Sequence, residues 1–287
     1  MAQARDIRRR IKSVQSTRQI THTMEMVAAS KLRRAQERVN AARPYAAKLT
    51  EVIAGLFTPE LAEKYPILRQ PKEIKRSALI LLTSNRGLAG GFNVNLIRMA
   101  RSRLEELQES GVDVEFQASG RKGIAYFGFR RVEMVSERTD ITDRPSSEDA
   151  RSIVDPLIER FVAGELDAVD IVYSQFQNPL STPPQCERIL PVTPAEGQTR
   201  PANYIFKPAS EEILTVVLPL YVRNSVYRAL VENVASEQGA RMTAMKNATD
   251  NADDLVKTLT LEYNKARQGQ ITSELTEISG GVEAQKG

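Results

Sequence analysis

Cysteine, histidine and tryptophan are nearly absent from this sequence of 287 residues. There is one cysteine, one histidine and no tryptophan, and aromatic residues make up 6%. Cys186 cannot form an internal disulfide, which favours a cytosolic compartment. His22 alone excludes a metal site built from several histidines and argues against a Ser-His-Asp triad. No carboxylate pair is placed as in general acid–base catalysis.

Long apolar runs are absent as well. None approaches the ~18 residues of a membrane span, so none is predicted. The first 30 residues lack an apolar core with a cleavage site, and we expect no secretory signal. This segment is basic and amphipathic, as mitochondrial transit peptides are. Its pattern continues into the following residues, so we interpret it as mature protein.

The excess of positive charge lies at the start of the chain. The net charge is only +4, but residues 1–50 contain 12 lysines and arginines against 3 acidic residues. Residues 51–210 and 211–287 are both slightly acidic. A basic segment of this kind suits an acidic partner, and a nucleic-acid-binding coiled-coil protein is one hypothesis. Against it, no aromatic residues interleave with the basic ones and no recognition motif is present.

Both ends of the chain have the four–three spacing of a coiled-coil seam. The N-terminal seam is Ile7, Ile11, Val14, Arg18, Thr21, Glu25, Ala28, Leu32, Ala35, Val39, Ala42, Ala46, Leu49, Ile53 and Leu56. The C-terminal seam is Val231, Ala235, Gln238, Met242, Met245, Thr249, Ala252, Val256, Leu259, Tyr263 and Ala266, and it then shifts by one residue to Ile271, Leu275, Ile278 and Val282. Pro44 predicts a kink or a restart of the first helix. Gly239 and Gly269 would soften the second helix, or Gly269 would allow the close approach of a partner backbone.

Helices of this length are about 80 and 105 Å long at 1.5 Å per residue, too long for a globule of this mass. We therefore predict one antiparallel intramolecular coiled coil, in which the longer C-terminal helix projects past the start of the first. A parallel homodimer of either helix is the alternative.

The middle of the chain alternates strand and helix patterns, which predicts a Rossmann-like α/β domain with a mainly parallel sheet. Predicted strands include residues 77–83, 112–118, 130–135, 167–176 and 186–192. The predicted organisation is a helix over 1–57, a linker over 58–76, the α/β domain over 77–210 and a helix over 211–287.

A glycine-rich turn, SNRGLAGGFN, follows the first strand at residues 84–93. It lacks the Lys-Ser/Thr of a phosphate loop and the G-x-G-x-x-G spacing of a dinucleotide site. A tight turn with Asn93 or Asn95 near a helix cap is the simpler interpretation. A nucleotide-binding enzyme remains a further hypothesis. Asp250, Asp253 and Asp254 are interpreted as a solvated helix face.

Three motifs together resemble the gamma subunit of F-type ATP synthases. They are the opening block that contains MEMVAASK at residues 24–31, with RPYA at 43–46, the SNRGLAGGFN turn, and the closing block from residue 236 to 281. The resemblance implies a non-catalytic rotor shaft without a cofactor. It also implies that Pro44 is typical of the family. The single cysteine lacks the paired-thiol insert of the chloroplast form, which favours a bacterial source.

The resemblance further implies partners and contact residues. The partners are the hexamer of alpha and beta subunits, the epsilon subunit and the c-ring. Contacts with the hexamer are expected from Met24, Arg241, Arg267, Gln268, Thr272 and Glu274, and contact with the c-ring from Tyr204. The expected location is the cytoplasmic face of the bacterial plasma membrane, as a peripheral protein.

Overall fold

The computed structural model describes residues 2–56, 65–192 and 210–284. A long helix lies at each end of the chain: α1 spans Ala2–Leu56 and, after the other elements, α5 spans Ser210–Ala284. The elements between them are β1 Arg76–Leu82, α2 Phe92–Glu109, β2 Asp113–Ser119, α3 Arg121–Phe129, β3 Ser136–Arg138, α4 Ser147–Val162, β4 Ala168–Ser174 and β5 Pro184–Leu190. A short 3-10 helix, Pro66–Leu68, precedes β1.

The chain divides into two compact units. Residues 1–27 and 242–287 form the helical unit, and residues 28–241 form the α/β unit. Both α1 and α5 contribute residues to each unit. The predicted domain boundaries differ from this division and stay a prediction. None of the described helices has a stretch both long and apolar enough to cross a bilayer.

The two end helices are antiparallel in the helical unit. Arg18 is paired with Asp253, and Thr21 with Thr249, so residue numbers rise on one helix as they fall on the other. The predicted seams face inward, because Thr21, Thr249 and Leu259 are buried while their neighbours are exposed. This confirms the antiparallel intramolecular coiled coil. Pro44 does not restart α1, which is one helix from Ala2 to Leu56.

The sheet has the strand order β3-β2-β1-β4-β5. β1, β2, β3 and β4 are parallel, and β5 runs antiparallel to β4 at one edge. The predicted mainly parallel sheet is therefore confirmed. Because consecutive side chains of a strand point to opposite faces, the apolar run of β1 serves two cores. Ala78, Ile80 and Leu82 pack with α4 and α5, whereas Leu79 and Leu81 pack with α2 and α3.

One helix, α4, begins where the local sequence satisfies its free amide groups. The hydroxyl of Ser146 accepts a hydrogen bond from Asp149 N at 3.2 Å, and the Asp149 carboxylate accepts one from Ser146 N at 2.7 Å. This capping box fixes the start of α4. At α2 the cap is Gly91, whereas the predicted capping residue Asn93 accepts from the Ser84 amide and holds the turn.

One predicted strand is displaced. Residues 130–135 were predicted as a strand, but β3 covers only Ser136–Arg138. Arg131 has φ 58°, so the chain is still turning after α3 at that point. Val132 and Met134 pack into the core, which explains the apolar pattern, and the Val135 amide donates to the Phe116 carbonyl of β2 immediately before β3 begins. Within the predicted linker, Ile67 and Leu68 are likewise buried in the core.

Gly120 is the glycine whose replacement the fold tolerates least. Its φ is +103°, and a Cβ there would lie 2.2 Å from the Thr83 carbonyl oxygen. Gly111 has φ +75° but no atom within 4 Å of an added Cβ. The two positions therefore separate the cost of backbone strain from the cost of a steric clash.

We expect Gly120→Ala to lower the free energy of unfolding by more than ~3 kcal/mol, because strain and overlap add. Gly111→Ala should cost only about 1 kcal/mol, from the left-handed backbone alone. Urea unfolding followed by tyrosine fluorescence measures both. Equal losses in the two variants would contradict the packing described for Gly120.

Candidate interaction surfaces

A polar layer interrupts the seam of the helical unit. The Thr21 and Thr249 hydroxyl oxygens are 2.8 Å apart and buried, and each hydroxyl also lies within hydrogen-bond distance of a carbonyl of its own helix. Arg18 Nε lies 2.5 Å from Asp253 Oδ1 at the half-exposed edge of this layer. Buried polar contacts of this kind are satisfied in one alignment of the helices, and they therefore fix the register.

The end of α5 extends beyond the start of α1. The Thr21–Thr249 pair sets the alignment and places Ala2, the first residue of α1, opposite Gln268. The following residues of α5 have no α1 residue opposite them, and Ile271, Leu275 and Ile278 are exposed. The predicted projection of the longer helix is confirmed. Its shifted seam is an apolar stripe without an intramolecular cover among the described residues.

The predicted contact residues near this end have different local environments. Arg267 and Gln268 are exposed, and in the described chain their side chains form no hydrogen bond or ion pair. Thr272 donates to the Gln268 carbonyl at 3.0 Å, and Glu274 accepts from Gln270 at 2.8 Å. Two of the four side chains are therefore free, and two are held by their own helix.

The other predicted contact residues lie elsewhere. Met24 is half-buried in the helical unit. Arg241 belongs to the α/β unit and is buried; it pairs with Glu237 at 2.7 Å and donates to the Gly87 carbonyl at 3.3 Å. Tyr204 lies outside the described residues.

Within the α/β unit, α5 is hydrogen-bonded to the end of β4. Asn233 Oδ1 accepts from the Ser174 amide at 3.1 Å, and the Ser236 hydroxyl donates to the Ser174 carbonyl at 3.0 Å. Pairing of β4 with β1 ends at Val172, and these two bonds satisfy the Ser174 backbone groups beyond that point. A backbone carbon of Pro179 lies 3.3 Å from the position of a Cβ at Gly239. Gly239 thus permits a close approach, whereas Gly269 has open space around it.

The part of α1 in this unit is attached to the same end of the sheet. Lys31 pairs with the Asp143 carboxylate, and Arg38 donates to the Asp143 carbonyl at 2.9 Å. Arg43 donates to the Phe176 carbonyl at 2.8 Å. Five contacts, from Lys31, Arg38, Arg43, Asn233 and Ser236, therefore join the two helices to loops of the sheet, and we call these residues the joint. Sequence reasoning missed them, because their partners are about 60 to 130 positions away.

Glu232 lies next to the joint residue Asn233 in the chain, and its buried carboxylate has few partners. Its Oε1 lies 3.8 Å from Arg43 Nη2, and its Oε2 has no hydrogen-bond partner in the described chain. Burial raises the pKa of the Glu232 carboxyl above its ordinary value, although Arg228 and Arg43 act against this. Burial also raises the pKa of the Glu237 carboxyl, opposed by its partner Arg241.

The glycine-rich turn carries a strained and exposed apolar residue. Leu88 has φ 63° and is exposed. A left-handed backbone costs a residue with a Cβ about 1–2 kcal/mol, so the rest of the turn must hold it in place. The hydrogen bond from Arg241 to Gly87 is one such restraint.

No catalytic constellation is formed by the described residues. They contain no cluster of three or more His, Cys, Asp or Glu side chains that could hold a metal ion. His22 lies 3.5 Å from Glu25 on the exposed side of α1, and Cys186 lies on the edge strand β5. The arrangement offers contact surfaces and a rigid joint.

Comparison with known proteins gives a consistent result. The family model described as ATP synthase matches residues 3–285. The chain is 52% identical over 291 aligned positions to the ATP synthase gamma chain of Gemmatimonas aurantiaca, with all of both chains covered. It is 46% identical to that of Moorella thermoacetica, again over all of both chains.

Solved structures with the same fold include two mitochondrial complexes. A chain of the central stalk and c-ring of the Tetrahymena thermophila ATP synthase is 25% identical, with a TM-score of 0.58, and the match covers 80% of this chain and 99% of that one. A chain of the Euglena gracilis ATP synthase rotor is 21% identical, with a TM-score of 0.64, and the match covers 94% and 99%.

The buried carboxylate gives a pH-dependent prediction. A carboxyl group whose pKa is raised in the folded state destabilises the fold as it ionises, that is, as the pH rises above its unfolded pKa of ~4.3. Glu232→Gln removes this effect. We expect the variant to unfold at higher urea concentration than the parent chain at pH 8, and the difference to shrink towards pH 4.

Glu137→Gln is the matched control, because Glu137 is exposed on β3 and has no ion-pair partner in the described chain. It should shift the urea midpoint little at either pH. A Glu232→Gln midpoint that falls below that of the parent at pH 8 would mean that the ion pair with Arg43 outweighs burial.

Proposed function

The chain belongs to the ATP synthase gamma chain family, and on that premise we propose which of its residues transmit torque. It is the central-stalk subunit of the rotor and is not itself catalytic. Its partners are the hexamer of alpha and beta subunits, the epsilon subunit and the c-ring. The observation that carries the function is the match over the whole chain, at 46% and 52% identity, to gamma chains.

We propose that torque passes through both end helices together. α1 and α5 each run without a break through both units, so the backbone itself connects the sheet-bearing part to the coiled coil. Two helices held in register resist twisting more than one helix does. The polar layer supports this role, because sliding one helix along the other would separate Thr21 from Thr249 and Arg18 from Asp253.

The joint supplies the other end of this path. Without the joint, a torque applied to the sheet would rotate the sheet around the two helices. Five hydrogen-bonded or ion-paired side chains on two helices oppose that rotation. Removing one partner of a buried hydrogen bond leaves the other unpaired, at a cost of about 1–3 kcal/mol.

We propose that Arg267 and Gln268 contact the hexamer. Their exposed side chains are free in the described chain, so that they can bind a partner without breaking internal contacts. Thr272 and Glu274 complete the proposed contact on the same helix, and Met24 lies on α1. The roles of Arg241 and of Tyr204, towards the hexamer and the c-ring, stay predictions.

The complex to which this subunit belongs is attached to a membrane, and we propose that the chain occupies its cytoplasmic face. A bacterial source is supported by the bacterial relatives. The described helices contain no bilayer-spanning stretch, so attachment through the c-ring is the proposed route.

Stoichiometry tests the assignment as a shaft. Co-expressed with its alpha and beta subunits, the chain should copurify as one copy per hexamer, because a central cavity holds one coiled coil. Native mass spectrometry counts the copies. Recovery of two or more copies per hexamer would exclude a single central shaft.

A double substitution tests the proposed hexamer contact. Arg267→Ala with Gln268→Ala should lower ATP-driven proton pumping by the reconstituted complex at least tenfold, the equivalent of about 1.4 kcal/mol. The circular dichroism of the isolated chain should stay unchanged, because neither side chain has an internal partner.

Lys246→Ala is the control, since it removes one exposed charge from the same helix about 30 Å along the axis from Arg267. It should leave pumping close to the level of the parent complex. Unchanged pumping in the double variant would show that the contact with the hexamer lies elsewhere.

A further inference from the structure

A cavity of about 540 Å³ lies in the α/β unit at the carboxyl ends of the parallel strands. Residues that follow β1, β2 and β3 form one side, and α5 forms the other. Parallel α/β sheets bind ligands at this edge, at the topological switch point. At this point, successive strands stop being added on one side of β1 and begin to be added on its other side. In the order β3-β2-β1-β4-β5 that point is between β1 and β4.

The cavity wall carries positive charge that the described chain does not neutralise. Arg86, Arg121 and Arg144 line it, and none of their guanidinium groups pairs with a carboxylate among the described residues. The two acidic residues of the wall are already engaged, Asp143 by Lys31 and Glu237 by Arg241. An anion entering the cavity would therefore meet three free cations.

Two buried side chains add unused hydrogen-bond donors. Ser119 is 8% exposed and Asn233 is 6% exposed, and both line the cavity. In the described chain the Ser119 hydroxyl has no partner, and Asn233 uses only its oxygen, which accepts from Ser174. Both groups are therefore available to a ligand that accepts hydrogen bonds.

The beginning of α3 is not the source of this preference. Its first amide groups are already used, since Arg121 N donates to Asn85 at 3.0 Å and Gly123 N donates to Thr83 at 2.9 Å. The glycine-rich turn contributes Ser84, Asn85 and Arg86 to the wall instead of a phosphate-cradling backbone. The lack of the phosphate-loop motif therefore does not exclude an anion here.

Part of the wall is aliphatic. Leu82, Ile141, Leu230 and Val234 line the cavity beside the cationic side. A site with donors and cations on one side and aliphatic surface on the other suits a molecule with a phosphate end and a flat apolar end. The volume lies in the range of small-molecule sites, about 300–1,000 Å³, and the concave shape suits a small ligand better than a protein surface.

We propose that this cavity binds a nucleotide, with its phosphates towards Arg86, Arg121 and Arg144 and its base against the aliphatic wall. Such a site adjoins the joint, because Asn233 of the joint also lines the cavity. No bond is made or broken in it, and the nucleotide acts as a bound ligand only.

Equilibrium dialysis of radiolabelled ADP against the purified full chain, without divalent metal, tests the proposal. We expect one saturable site with a Kd below ~1 mM. Inorganic pyrophosphate should compete, and added salt should weaken binding, because the phosphate contacts are ionic. Arg121→Ala with Arg144→Ala should raise the Kd at least tenfold.

Arg98→Ala with Arg130→Ala is the matched control. It removes the same two positive charges from exposed residues that do not line this cavity. Its Kd should stay within about twofold of the parent value, well inside the tenfold step of 1.4 kcal/mol. Equal weakening in both double variants would mean general charge attraction and would overturn the proposal.

A second measurement does not depend on the folding of a variant. In the parent chain, ADP should slow amide hydrogen exchange in residues 119–121 and 230–237. Absence of saturable binding, or protection confined to other residues, would overturn the proposal. A third combination of results would also overturn the proposal: the parent chain does not bind ADP, and the Arg121→Ala, Arg144→Ala variant loses affinity for the hexamer. The cavity would then accept an acidic protein segment instead of a nucleotide.

Discussion

The burial of α5 on every side between Val231 and Gly239 is the constraint on which the α/β unit depends. In a helix segment without a solvent-facing side, every polar side chain left unpaired costs several kcal/mol, and here Glu232 Oε2 and Gln238 Oε1 have no partner in the described chain. This segment carries five, Glu232, Asn233, Ser236, Glu237 and Gln238. Asn233 and Ser236 bond to the end of β4, and Glu237 pairs with Arg241. The position of the sheet is therefore tied to the helix by directional bonds and not by apolar contact alone.

The same segment explains why the ligand edge of the sheet is divided. In a doubly wound sheet the carboxyl ends of the strands around the crossover point are open to a ligand. Here α5 covers the β4 side of that edge and forms hydrogen bonds to the end of β4. The ends of β1, β2 and β3 remain lined by cations and unused donors. A central-stalk subunit gains a rigid attachment by this arrangement, and the remaining cavity keeps the chemistry of an anion site.

The polar layer and the joint both hold parts of the molecule in one arrangement, the polar layer in the helical unit and the joint in the α/β unit. An alanine-rich seam lets helices approach closely, but small apolar contacts specify register weakly. Thr21, Thr249, Arg18 and Asp253 add contacts that are satisfied in one alignment. The contacts of the joint are likewise satisfied in one orientation, and they oppose rotation of the sheet around the helices. Buried polar groups thus cost stability locally, as the raised pKa of Glu232 indicates, and hold the parts in one arrangement.

The sequence by itself determined the elements that depend on local pattern. The two seams, the strand at residues 77–83 and the capped helix α4 were predictable because periodicity and capping act over a few residues, and three long motifs were enough to indicate the family. The segment 130–135 misled the prediction because core packing and strand pairing produce the same apolar pattern. Only the tertiary structure decided that Asn233 meets Ser174, that Arg38 meets Asp143, and that Arg86, Arg121 and Arg144 share one cavity. These residues are far apart in the chain, and only the packing of α1, α5 and the sheet brings them together.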